Sequence, residues 1–264
     1  MTDVEAERVE GLLVDLADGI LRVTIARPDR MNALDIDSMR ALGDLLEGRA
    51  RERDVRVVVL AGEGGAFCTG ADLIAASSGP GTDPRVVMDT ANRVIRAILT
   101  LPSPVLARVD GAAAGVGASL ALAADLTYAA PSAYFLLAFV NVGLMPDGGS
   151  SLLVPAAVGR ARAAEMALLG ERLGAVDAHA AGLITRVLPP DDLAAHVDAV
   201  AATLAAGPRR AIELTKRSLT AATLDRVEEA LARETEGQAE LLGSADFREG
   251  AAAMLARRRP RFGS

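Results

Sequence analysis

Three short stretches hold the residues that could do chemistry. Pro146-Asp147-Gly148-Gly149-Ser150-Ser151 places one acid directly after an apolar run, "FLLAFVNVGLM". Two others are rich in glycine: "EGGAFCTGADL", which contains Ala71 and Asp72, and "GAAAGVGASL", which contains Gly115, Val116 and Ser119. A carboxylate with apolar neighbours such as Phe139, Leu144 and Met145 is a candidate for proton transfer, because burial raises its pKa. Glycine turns let backbone N–H groups come close to a ligand. Where such a turn opens a helix, free N–H groups and the helix dipole favour an anion.

Each stretch also has a plainer reading. Asp is a favoured N-cap, and "GGSSLLVPAAV" reads as a helix start just after Asp147. Glycine turns commonly do no more than join a strand to a helix. "GVGASL" invites comparison with a dinucleotide fingerprint, but the third glycine is missing and no acid ends "LTYAAP". Cys68 and Thr69 sit beside Ala71, yet no motif pairs the thiol with a histidine, so Cys68 reads as a small buried filler. His179 and His196 lie on alanine-rich helices and read as packing or surface residues. Asp125, at the end of "LALAAD", reads as a structural hydrogen-bonding group.

These candidates need elements to hold them. "LLVDLADGILRVTIAR" reads as two strands joined at Asp18-Gly19, a strong hairpin dipeptide. "DIDSMRALGDLLEGRARE" has helical spacing, with Met39, Leu42, Leu45 and Leu46 on one face. "VRVVVLAG" and "SPVLARVDG" read as buried strands, with the helix "DPRVVMDTANRVIRAILTL" between them stopped before Pro102. The glycine turn at 115 feeds a helix of small residues, and "LTYAAPSAYFLLAFV" returns as extended chain. The alternation predicts an α/β core with largely parallel strands. After Asp147 come short helices: "GSSLLVPAAVG", "RARAAEMALLG" and "AVDAHAAGL". "ITRVLPP" is a brief strand. From Asp191 the chain reads as helix throughout, in four segments. The expected organisation is therefore a core over 1–190 and a helical region over 191–264 that mediates association. The segment from Ile74 to Pro84 is rich in Gly, Ser and Pro and reads as flexible.

The bulk numbers exclude several classes. A net charge of −7 argues against a nucleic-acid footprint, despite the short run "RRRPRF" near the end. One cysteine and two histidines argue against a disulfide framework and against a metal site built from those ligands. The start "MTDVEAERVE" has neither the basic residues nor the apolar run of a signal peptide. No apolar stretch is long enough to span a membrane. A cytoplasmic location is expected.

The chain resembles the crotonase superfamily, the enoyl-CoA hydratases and isomerases. The likeness is carried by "ARPDRMNAL", "GAFCTGADL", "PVLARVDGAAAGVGASLALAADLTYA", the long stretch from "VGLMPDGGSS" to "LITRVLP", and "DFREGAAAMLARRRPRF", in the family's order. The resemblance implies an α/β fold of repeated ββα units with a helical C-terminal region, assembled as a homotrimer or a hexamer. It implies an acyl-CoA thioester as substrate, coenzyme A being part of it, and no other cofactor. It implies that the Ala71 and Val116 amides form an oxyanion hole for the thioester oxygen. Arg27 and Arg30 flank the first motif and become candidate contacts for the CoA phosphates, with solvated surface charge as the alternative. Asp72, Gly115, Ser119, Leu137, Phe139 and Leu144 become candidates for the substrate pocket, with Asp72 also expected to organise its loop or cap the next helix.

The chain departs from the hydratase pattern at two positions. Ser119 and Phe139 stand where hydratases carry the glutamates that hold and activate water. "GLMPDGG" instead resembles the isomerase branch: the Δ3,Δ2-enoyl-CoA isomerases and the ring-epoxide isomerases of phenylacetyl-CoA breakdown. The expectation is therefore double-bond isomerisation with Asp147 as the proton shuttle. The alternatives are a hydratase-like or epoxide-isomerising enzyme, or a non-catalytic acyl-CoA-binding protein.

Overall fold

The computed structural model describes residues 6–77 and 82–263. Of the stretch expected to be flexible, residues 78–81 lie outside those described. The chain opens with three antiparallel strands, β1 (Glu7–Val9), β2 (Leu12–Ala17) and β3 (Ile20–Ile25). Asp18 and Gly19 both have positive φ (53° and 77°), as a two-residue hairpin turn of this hand requires. Helix α1 (Ile36–Glu47) follows, capped by the Asp35 carboxylate, which accepts from Ser38 N. The fully buried run Val57–Gly62 forms β4.

A short helix α2 (Leu73–Ser77) and the long α3 (Pro84–Thr100) lead to β5 (Val105–Val109) and β6 (Ala112–Ala114). Then come α4 (Val116–Ala123), β7 (Leu126–Ala129) and β8 (Tyr134–Leu136). Helix α5 (Ser150–Leu169) breaks at Gly159, whose φ and ψ are 75° and 163°. It is thus the two helical segments the sequence suggests, on either side of a kink. Strand β9 (Leu173–Gly174), helix α6 (Ala175–Ala180), β10 (Arg186–Val187) and helix α7 (Pro190–Ala206) complete the middle.

The main sheet has the order β1-β2-β3-β4-β5-β7-β10 and is parallel from β3 to β10. A smaller sheet has the order β6-β8-β9. These three short strands are too brief to carry a periodic signal. Two further expectations need correction. "FLLAFV" is not extended throughout, because a 3-10 helix runs over Ala138–Val142 and carries Phe139. The two helices expected after residue 207 are one, α8 (Arg209–Leu241), of 33 residues, followed by α9 (Ala245–Leu255). No Gly or Pro interrupts α8 before Gly237, so local propensity gives it no reason to stop.

Helix α8 packs on α3 and α5 of its own chain. Near its start, the buried Lys216 donates to the carbonyls of Ile98 and Ser103 and pairs with Asp125 at 2.7 Å. Asp125 also accepts from Val105 N, which makes it the structural group expected. Burial holds the Lys216 ammonium below its usual range, opposed by the Asp125 charge. Lys216→Ala should lower stability by about 3 kcal/mol, because it strands a half-buried carboxylate and two carbonyls. The urea midpoint reads this, with turnover per folded molecule unchanged.

Candidate active site

Three loops converge on the start of α4. Asn32, in "RMNAL", is fully buried and has φ 57°, a left-handed conformation that Asn tolerates. Its side chain accepts from Arg27 N and donates to the carbonyls of Glu63 and Ala66. This ties the end of β3 to the loop after β4. Single bridges then lay Leu34 beside Ala71 and Cys68 beside Ala113. Gly117 rests on the Cys68 carbonyl: an added methyl group there would sit 2.2 Å from that oxygen.

The loop that carries Ala71 meets the start of α4 in this region. Gly70 (φ 96°) approaches so closely that a methyl group on it would lie 3.6 Å from Val116 N and 3.0 Å from the Ala114 carbonyl. Gly115 caps α4 with φ 54° and ψ −134°, a conformation that glycine permits. Among the described residues, neither the Ala71 N–H nor the Val116 N–H donates to a backbone or side-chain acceptor. The start of α4 thus leaves the Val116 donor free, and the loop before α2 leaves the Ala71 donor free.

The Asp147 loop also packs on α4. Ser119, fully buried on α4, donates to the Asp147 carbonyl at 2.8 Å, and Ser150 Oγ donates to the same oxygen. Gly148 (φ 61°) sits against α4, where a methyl group would lie 2.8 Å from Ser119 Cβ and 3.5 Å from Val116 Cγ2. The acid is thereby held beside the helix that begins at Val116. Its Oδ2 accepts from Gln238 Nε2 at 2.6 Å, while the buried Oδ1 has no hydrogen-bond partner among the described residues. Burial pushes the Asp147 carboxyl up to about 7; the Gln238 donor opposes this and the Glu234 charge adds to it.

The N-cap reading of Asp147 does not hold. Helix α5 is capped by Glu234, which reaches across from α8 and accepts from Gly149 N at 2.7 Å and Ser151 N at 3.0 Å. Glu234 is completely buried. A remote acid thus satisfies the amides of the helix start, and the Asp147 carboxylate binds Gln238 instead. Sequence reasoning missed Glu234, Gln238 and the role of Asn32. The first two sit about ninety residues from Asp147 on a mainly polar helix, and no local pattern marks them.

The remaining candidates fall as follows. Leu137 and Phe139 are buried in one apolar cluster with Val116, and Leu144 packs on it. Asp72 is buried, and one of its oxygens accepts from Ile74 N and Ala75 N at the start of α2. Its other oxygen binds Arg27 at 3.1 Å. Arg27 also pairs with Asp35 and donates to the Ala33 carbonyl, so its guanidinium is neither solvated surface charge nor free for a phosphate. Arg30 is exposed on a 3-10 turn and forms no ion pair among the described residues. Cys68 is fully buried, and burial pushes its thiol up to about 12, which rules out a thiolate nucleophile at neutral pH. In the terminal arginine run, Arg258 is held by Glu249. His196 packs edge-on against Tyr128.

Residues 15–264 match the model of the enoyl-CoA hydratase/isomerase family. The chain belongs to that family. It is 43% identical to a probable enoyl-CoA hydratase of Rhodobacter capsulatus, over 94% of this chain and 96% of that one. It is 37% identical to the 1,2-epoxyphenylacetyl-CoA isomerase of Escherichia coli, over 96% of this chain and 98% of that one. An enoyl-CoA hydratase structure from Mycobacterium avium subsp. paratuberculosis superposes with a TM-score of 0.90 at 47% identity, covering 97% of this chain and all of the other. The fold is therefore the crotonase fold, an α/β core with a helical C-terminal region. The family acts on acyl-CoA thioesters. No described helix is long and apolar enough to cross a membrane.

Proposed function

We propose that this member of the family is an acyl-CoA isomerase that converts a 3-enoyl thioester into the 2-enoyl isomer. Asp147, as carboxylate, removes a proton from C2. The electron pair moves toward the thioester carbonyl, and the Ala71 and Val116 amides hold the oxygen on which charge develops. The electrons then return through C3 to C4, which takes the proton back from Asp147. One carboxylate is enough, provided it reaches both carbons and stays dry.

The observation that carries this reading is the state of Asp147. Its Oδ1 is buried and unpaired, its Oδ2 is pinned by Gln238, and its carboxyl is poised near neutrality. Hydration would need a second group to activate water. Ser119 donates to the Asp147 carbonyl, Phe139 has no proton to transfer, and both oxygens of Glu234 accept from main-chain amides. Leu137, Phe139 and Leu144 would contact the acyl chain, and Arg30 is the candidate for the CoA phosphates. Assembly as a homotrimer or hexamer belongs to the same reading. It is supported by the exposure on a single chain of Leu168, Leu169 and Leu219.

The test offers the protein a 3-enoyl-CoA, a 2-enoyl-CoA and 1,2-epoxyphenylacetyl-CoA. Isomerisation of the first without hydration of the second is expected. Rapid hydration would sink the reading, and turnover of the epoxide alone would move the protein beside the Escherichia coli enzyme. Binding without any turnover would make it an acyl-CoA carrier. Since the base is a carboxylate with a pKa of about 7, kcat/KM should rise tenfold per pH unit below that value and level off above it.

A further inference from the structure

Helix α8 belongs to the region expected to serve association, yet it presents two buried polar residues one turn apart to the Asp147 loop. Gln238 and Glu234 are 1% and 0% exposed. Glu234 binds Gly149 N and Ser151 N, which fixes the backbone just after the acid. Gln238 binds the acid itself at 2.6 Å. The fit between helix and loop is close, for a methyl group at Gly237 would overlap Met145 Sδ at 2.1 Å.

We propose that Gln238 is a positioning residue for Asp147, holding Oδ2 so that Oδ1 is presented to the substrate, and that Glu234 fixes the loop beneath it. This rests on Asp147 being the base. A carboxylate on a loop that runs on into two glycines would otherwise rotate about χ1 and χ2. A single donor from a rigid helix restricts both torsions and leaves one oxygen for chemistry.

The two α8 residues act on the acid's charge in opposite directions. A donor to the carboxylate favours its ionised form, and a neighbouring carboxylate disfavours it. Among the described residues, Glu234 is the one charged group that acts on Asp147. Its neighbour Arg233 acts on Glu234 and pairs at the surface with Glu229. Helices α4 and α5 contribute the uncharged Ser119 and Ser150, and α3 contributes Asn92, which donates to Thr235.

The experiment compares wild type with Gln238→Met, Gln238→Glu and Glu234→Gln. It records kcat and KM for a 3-enoyl-CoA across pH and follows Asp147 by carboxyl-carbon NMR, with Asp147→Asn assigning the signal. Gln238→Met should lower kcat by about 10- to 100-fold, with a smaller change in KM. Its pH limb and its NMR midpoint should move to higher pH. Gln238→Glu keeps the shape, covers the case in which the Met variant fails to fold, and should move both the same way. Glu234→Gln should move both to lower pH. Unmoved midpoints in the Gln238 variants, or shifts of one sign in all three, would overturn the inference. The Asp147→Asn control separates the two ideas. If it isomerises normally, the reading of the base fails; if it is inactive while Gln238→Met behaves as wild type, only the positioning role fails.

Discussion

Asp147→Asn should lower isomerisation by about a thousandfold or more, the size of a lost general base. It should leave the protein folded and, above neutral pH, more stable than wild type. The folded carboxyl has a pKa of about 7, against an ordinary value of 3.8. Folding therefore opposes ionisation. The cost is fully present above pH 7, declines as pH falls, and vanishes near pH 4, where the unfolded chain also takes up its proton. An amide carries no charge at any of these values. It also brings a donor near Gln238 Oε1, a buried acceptor without a partner among the described residues. A gain of about 2 kcal/mol at pH 8 is expected, well below the full linkage value because the site relaxes. Thermal melts at pH 5 and pH 8 read it, with the variant's advantage growing between them. A variant that is both inactive and destabilised at pH 8 would mean that Asp147 holds the loop together, which the Glu234 contacts argue against.

Gly117→Ala is expected to damage stability and activity together. The new methyl group would meet the Cys68 carbonyl oxygen at 2.2 Å and its carbon at 2.7 Å. Both are backbone atoms bound into the Cys68–Ala113 bridge, so no side chain can swing aside. Relief requires α4 to back away from the loop that carries Ala71. The expected cost is about 3 kcal/mol, typical of overpacking where the backbone must shift. The same movement pulls the Val116 N–H from its place, and a displacement of about 1 Å should lower kcat by about a hundredfold. Gly174→Ala is the control. Nothing lies within 4 Å of the added group and φ is −62°, so both quantities should stay at wild-type values.

Much of the site was legible in the sequence because it is built from main chain. Glycines at 70, 115 and 148 are favoured by positive φ, those at 70 and 148 also by close approach, and glycine-rich loops are visible as composition. Asp147 was singled out by the family resemblance, since by local pattern an Asp just before a helix start reads equally as a cap. Its partners were not. Gln238 and Glu234 lie on a helix whose sequence is mainly charged and polar, where one buried Gln or Glu looks like any solvated one. Arg27 was misjudged for a related reason. An arginine in a polar motif reads as a surface or phosphate-binding charge, and only folding brings Asp35 and Asp72 to it at 2.7 and 3.1 Å.

By itself the sequence determined the α/β core and the parallel sheet after the first hairpin, which follow from β-branched runs and hydrophobic period; the two glycine turns and Asp147 were singled out by the likeness to a known family. The tertiary structure alone decided the chemical state of that acid. A helix cap and a proton shuttle use the same residue type at the same place in a chain. Whether Asp147 is needed as the cap depends on whether another acid satisfies the α5 amides, and Glu234 does so from α8. Proton affinity depends on burial and on neighbouring charge, and both arise only when segments far apart in sequence pack together.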